Sequence, residues 1–216
     1  MNINDNRSYS YYENYQEFRP EYDLVSSFVP AGCSVLDLGC GEGSLMQLLI
    51  KNKNCICSGV ELVQSGVDRC KEKGLDVMQG KIDKELPLKD NSVEVVVCNV
   101  TLQMVGYPEI TVQEMKRISR HKLILSFPNF AYWLNRLEML MKGRMPRKLL
   151  FGYKWYNTGH IHQFSLSDLL SLISELGGLK IVQIVSVASE YKLLNVLAKW
   201  MPNLFGKIII VEINKI

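Results

Sequence analysis

Asp37, Gly39, Cys40, Gly41 and Gly43 lie together in the run Val35-Leu36-Asp37-Leu38-Gly39-Cys40-Gly41-Glu42-Gly43, and Glu61 follows twenty residues beyond Gly41. An apolar strand that runs into a glycine-rich turn and then a helix, with an acid at the tip of the next strand, lays out a nucleoside site. A dinucleotide fingerprint would place its third glycine at position 44, which is Ser44 here. Charge points the same way. A diphosphate calls for bare amides and a positive helix end, whereas Asp37 and Glu42 flank this turn. Carboxylates suit a ligand with a cationic sulfonium and a free ammonium, so the expected cofactor is S-adenosyl-L-methionine. Asp37, Gly39, Cys40, Gly41 and Gly43 would hold it. Glu61 would accept the ribose hydroxyls, with Leu62 beside it. An ordinary β–turn–α corner with incidental glycines would not explain why Asp37, three spaced glycines and Glu61 fall in register.

A second set of candidates lies far downstream. Methyl transfer from a sulfonium needs mainly alignment, and a base only where the acceptor must lose a proton. His162 and Tyr156 are the candidates for catalysis, with His160 two residues away and on the same side of an extended segment. The alternative for either histidine is a hydrogen bond that fixes a loop; metal ligation lacks a third spaced ligand. Asn99-Val100-Thr101-Leu102-Gln103 follows a strand that should end near the cofactor, making Asn99 a candidate contact. Gln103 either meets the acceptor or caps the next turn. No Asn-Pro-Pro-Tyr or Asp-Pro-Pro-Tyr pattern occurs, which disfavours amino-group methylation of DNA or protein. Residues 142–148 are basic and are followed by Phe151, Tyr153 and Trp155. That mixture suits single-stranded nucleic acid, an anionic small molecule, a partner's acidic face, or simply a solvated loop.

These residues need a scaffold, and the pattern supplies one. Strands are expected at 34–38, 55–60, 77–79, 93–99, 122–126, 180–187 and 207–213. Helices are expected at 21–29, 44–51, 65–73, 108–118, 131–142, 166–176 and 191–200, with Ser165 or Ser167 capping the sixth. Alternation of strand and helix implies a doubly wound α/β fold, a mostly parallel seven-stranded sheet with an antiparallel C-terminal edge strand. The long irregular stretch 143–165 should line the substrate side, since such loops are usually functional. Residues 1–20, with Tyr9, Tyr11, Tyr12 and Tyr15, are candidates for a lid.

The chain has 216 residues, 47% of them hydrophobic, and a net charge of +3, which fits one domain and does not by itself imply nucleic acid. Met1–Asn6 is polar and no apolar run approaches a membrane span, so neither a secretory leader nor membrane insertion is expected. Six cysteines without a Cys-x-x-Cys spacing read as reduced thiols of a cytoplasmic protein.

The succession resembles the class I S-adenosylmethionine-dependent methyltransferases, through Val35–Gly43 and Gly59-Val60-Glu61. Within them it is most similar to the methionine biosynthesis protein MetW family. That likeness rests on Val77-Met78-Gln79-Gly80, Thr101-Leu102-Gln103, Ser126-Phe127-Pro128-Asn129-Phe130, Gly143-Arg144-Met145-Pro146, Trp155-Tyr156-Asn157-Thr158, Ile161-His162 and Asn203-Leu204-Phe205-Gly206. The family's acid after the third strand is replaced by Lys81, leaving Asp83 or the backbone of Ile82 for the adenine amino group. The resemblance implies a methyltransferase acting on a small molecule. Its alternative is a non-catalytic, cofactor-binding partner of homoserine O-acyltransferase in methionine biosynthesis. RNA methylation is a weaker third reading.

Overall fold

The computed structural model describes residues 19–147, 149–150, 154–156, 158–187 and 191–216; the tyrosine-rich leader lies outside the described residues. Five runs with apolar centres form β1 (Ser34–Leu38), β2 (Ile56–Glu61), β3 (Asp76–Gln79), β4 (Val93–Asn99) and β5 (Ser119–Pro128). Helix α1 (Glu21–Phe28) precedes β1, and between the strands lie α2 (Ser44–Lys53), α3 (Gln64–Glu72) and α4 (Pro108–Ile118). After β5 come α5 (Trp133–Lys142), α6 (Leu166–Leu176), β6 (Leu179–Ser186), α7 (Lys192–Trp200), the one-turn α8 (Pro202–Phe205) and β7 (Ile208–Lys215).

Local chemistry sets these boundaries. Pro108 opens α4, where its missing N–H leaves no hydrogen bond unmade, and Lys116 and Arg117 sit in the last turn against the negative helix end. Ser165 caps α6: its hydroxyl accepts from the Asp168 amide while Asp168 accepts from the Ser165 amide.

The sheet order is β3-β2-β1-β4-β5-β7-β6. Strands β1 to β5 are parallel, and β7 is antiparallel to both neighbours. The expected antiparallel edge is thus the β7–β6 pair, with β7 inserted against β5 and β6 outermost. Burial explains the order. Ile209, Ile210, Val211 and Ile213 of β7 are fully buried, whereas β6 keeps only half-buried or exposed residues. A strand apolar on both faces belongs inside a sheet. Lys122 of β5 fixes the register by ion-pairing with Glu212 of β7 at 2.5 Å and donating to the Phe28 carbonyl at 2.9 Å.

Alternating strand residues feed two cores. Leu36, Leu38, Val96, Cys98, Leu123 and Leu125 pack with Val112, Met115, Leu169 and Ile173 of α4 and α6. Val35, Val95, Val97, Ile124 and Ile210 pack with residues of α1, α2 and α3 on the other face. The chain fills one side of β1 with β2 and β3, then crosses to β4 on the other. The crevice of this switch point opens at the carboxyl ends of β1 and β4. Among the described residues no helix is long and apolar enough to cross a membrane.

Candidate functional site

The turn after β1 is built from left-handed glycines. Gly39, Gly41 and Gly43 have φ of 77°, 58° and 79°, values that L side chains rarely adopt. A Cβ at Gly39 would strike the Thr101 side chain, and one at Gly43 would strike Leu75. The turn therefore packs against the segment after β4 on one side and against the α3–β3 corner on the other.

Its amides are already used. Gly39 and Cys40 donate to the Val60 carbonyl at 2.8 and 3.2 Å, and Gly43 donates to the Cys40 carbonyl at 2.9 Å. Gly41 donates to Glu61 Oε2 at 2.9 Å, while Glu61 Oε1 accepts from the Val63 amide at 2.9 Å. Four amides spent within the chain leave a poor cradle for a diphosphate, which wants free donors. Glu61 itself is 6% exposed and ties the turn to the β2–α3 corner. Leu62 is half-buried beside it, its carbonyl taking the Gln79 side-chain amide at 3.2 Å.

Asp37 sits at the end of β1, 2% exposed, and its Oδ1 has no hydrogen-bond partner among the described residues. Burial first, then the charge of Glu61, pushes its carboxyl up to about 7. A sealed carboxylate with an open acceptor beside a second carboxylate is suited to a cation. Glu42, the other acid of the turn, is different. It pairs with Lys73 at 3.3 Å and accepts from the Ser44 hydroxyl at 3.0 Å, so its charge is compensated. The acidic character of the site comes from Asp37 and Glu61.

Cys40 turns its thiol inward. A hydrogen bond with Cys70, then burial, hold it protonated, and Cys70 Sγ also lies 3.3 Å from the Gly41 carbonyl. All six cysteines are buried and free, and no metal-binding cluster occurs among the described residues.

On the far side of the crevice the candidates form one chain of contacts. Asn99 Oδ1 accepts from the Ser126 hydroxyl at 2.5 Å, and that hydroxyl accepts from the Val100 amide at 3.0 Å. Val100 has φ of 49°, a strained value for a β-branched residue. Gln103 is fully buried; its Nε2 donates to the Val100 carbonyl at 2.8 Å. The Gln103 carbonyl accepts from the amides of Ile161 and His162 at 2.9 and 3.0 Å. His162 Nε2 lies 3.3 Å from the Gly106 carbonyl, and the Gly106 amide donates to Asp83 Oδ2 at 2.9 Å. Ile82 points into the core, which leaves only its backbone for a ligand. Gln103 therefore joins β4 to the histidine segment instead of capping a turn alone.

Ser126 and Gly106 were not legible as site residues, and nothing in the run Asn99–Gln103 marked Val100 as strained. Only the Ser-Phe-Pro-Asn-Phe run hinted at Ser126. Tyr156 is not drawn into this chain. It is 62% exposed and its ring meets Trp155 edge-on at 5.6 Å. His160 is buried edge-on against Phe130 at 5.7 Å. Lys148, Phe151, Tyr153 and Asn157 lie outside the described residues.

Comparison with known proteins agrees with this architecture. A Rhodopirellula baltica protein named bifunctional methionine biosynthesis protein MetXA/MetW is 33% identical over an alignment of 164 residues that covers 71% of this chain and 26% of that protein. The chain thus spans about a quarter of that relative's length. The solved structure of an S-adenosylmethionine-dependent methyltransferase from Aquifex aeolicus matches with a TM-score of 0.61 at 18% identity, covering 92% of this chain and 90% of that one. Another, from Mesorhizobium loti, matches with a TM-score of 0.64 at 13% identity, covering 91% and 98%. These two likenesses establish the methyltransferase fold. The family model for methionine biosynthesis protein MetW matches residues 19–213, and the chain belongs to that family.

Proposed function

We propose that the chain binds S-adenosyl-L-methionine at the carboxyl ends of β1 and β2 and acts as a methyltransferase on a small molecule. Asp37 carries the reading: a buried carboxylate with an unpartnered oxygen, beside Glu61, in a turn whose amides are largely spent. Such a place favours a cation and disfavours a diphosphate. Asp37 would face the ammonium. Glu61 would take ribose hydroxyls while keeping the Gly41 and Val63 amides, since a carboxylate offers about four acceptor positions. Gly39, Cys40, Gly41 and Gly43 would bring backbone close to the ligand, and Leu62 would flank the ribose. Asp83 or the Ile82 backbone would meet the adenine, with Asn99 on the β4 side.

When bound, this cofactor supplies a methyl group already activated on a cationic sulfur. The protein's own work is alignment and exclusion of water. Gln103 positions the 160–162 segment, and His162 is the group to take a proton where the acceptor must lose one. Tyr156, exposed on its loop, is the weaker candidate for that role. Calorimetry tests the cofactor: Glu61→Ala should weaken binding by about 1.5–3 kcal/mol, the scale of a hydrogen bond to a charged group. Measurable NAD binding, or an unchanged Glu61 variant, would overturn the assignment. A radiolabelled-methyl screen over metabolite pools identifies the acceptor.

The Rhodopirellula baltica relative favours a second reading, because its name joins a MetW part to a MetXA part in one bifunctional protein. Here the chain is a cofactor-binding partner of homoserine O-acyltransferase and methylates nothing. Mixing the two purified proteins separates the readings. A partner forms a complex by light scattering and changes the acyltransferase rate, whereas an enzyme turns over methyl groups alone.

A further inference from the structure

Helix α5 is built inside out. Asn135 is its buried residue, while Leu137, Met139, Leu140 and Met141 are 42%, 46%, 83% and 73% exposed. Beside it lies a groove of about 740 Å³, walled by Leu134, Leu137 and Met141 and facing Arg147 and Leu149. That volume falls in the range of small-molecule sites, about 300–1,000 Å³. None of its lining belongs to the glycine turn, to Glu61 or to the chain of contacts around Gln103.

Its charge is one-sided. Lys142, Arg147 and Lys207 stand around the apolar walls; none of them forms a salt bridge among the described residues, and Lys142 acts on Glu138 only at longer range. The one acid among the described lining residues, Glu138, is already neutralised: Arg144 donates to it at 2.9 and 3.1 Å, and the Arg147 amide at 3.2 Å. Lys207 is held over the Tyr132 ring, 5.8 Å from its centroid, which keeps its ammonium at the groove. Leu149, on the opposite wall, has φ of 69°, a strained value for a residue with a side chain, and such outliers collect at ligand sites.

We infer that this groove binds a free amphiphilic anion, an acyl chain ending in a carboxylate or phosphate. Apolar walls alone would accept any oily molecule; the surplus of three cations over one acid selects the anionic head. The site absorbs the basic run 142–147, which the cofactor crevice leaves without a role.

Titration calorimetry of the full chain with decanoate, decanol and decylammonium tests the assignment. Decanoate should bind, decanol at least about tenfold more weakly, and decylammonium not at all. Octanoate should bind about tenfold more weakly than decanoate, for two fewer buried methylenes. The three cations are exposed, so Lys142→Gln, Arg147→Gln and Lys207→Gln together should leave the melting temperature unchanged and weaken decanoate at least about tenfold. Met141→Ser, also exposed, gives an independent check on the wall and should weaken decanoate more than it weakens the head-group preference. Equal binding of the three probes, or an unaffected triple variant, would overturn the site. So would co-sedimentation with phosphatidylglycerol vesicles without binding of free decanoate, which would make a membrane surface the occupant.

Discussion

Asp37 makes the site responsive to pH. Its carboxyl is raised to about 7 by burial and by Glu61, above the ordinary value of 3.8. A carboxyl raised in the folded state stabilises the protein fully below about pH 4 and loses that contribution as pH rises through about 7. The cost of the buried anion is relieved when a cation sits against it. Affinity for S-adenosyl-L-methionine should therefore rise about tenfold between pH 6 and 8, with proton release detectable in buffers of different ionisation enthalpy. Asp37→Asn should remove that dependence, weaken binding and raise the melting temperature of the ligand-free protein at pH 8. A flat profile in the parent would show that Asp37 does not face the cation. His162→Ala tests the other side of the crevice. It should leave cofactor affinity within about twofold and lower transfer to a protonated acceptor about a hundredfold, measured by single-turnover methyl transfer.

At the scale of elements, the strands that carry the turn leave little room. A Cβ at Gly59 of β2 would come within 2.7 Å of Cys40 Sγ and 2.9 Å of Met46 Sδ. Gly59→Ala should cost about 1–3 kcal/mol in urea denaturation, the range for overpacking a core. Glu212→Ala, which strands Lys122 in a largely buried place, should cost about 3–5 kcal/mol; Glu212→Ala with Lys122→Met should recover much of that loss. Much of this architecture was legible because its signals are local. Short, nearly continuous apolar runs mark β1 and β4, Pro108 marks the start of α4, and Ser165 marks the cap of α6, and all four elements have the expected bounds. What was not legible depends on partners distant in sequence. Glu42 finds Lys73 across 31 positions, so the turn's acidity was assigned to the wrong pair of carboxylates. Asn203-Leu204-Phe205-Gly206 offered no chemistry, yet Asn203 Oδ1 accepts from the Leu166 amide at 3.1 Å, and the Asn129 side-chain amide donates to the carbonyls of Asn203 and Gly206, each at 3.0 Å. That segment is a packing joint between α6 and the end of β5.

Across the whole molecule, the two cores hold all six cysteines out of reach, the most exposed being Cys57 at 9%. An aromatic disulfide reagent should find no fast-reacting thiol in the native protein and all six after denaturation, and a fast native fraction would mean that a face of the sheet opens. The position of β7 has a consequence for how the chain reaches this state. β6 is synthesised before β7, yet it can join the sheet only through β7, because among the described residues it pairs with no other strand. Until residues 208–215 arrive, β5 presents an unpaired apolar border, and β6 waits without a partner. Pairings as distant as Lys122 with Asn214 close late, since long loops form slowly. During that interval the nascent chain should offer a sticky edge to its neighbours, and its yield in a cell should fall with crowding and rise where chaperones reach that border first.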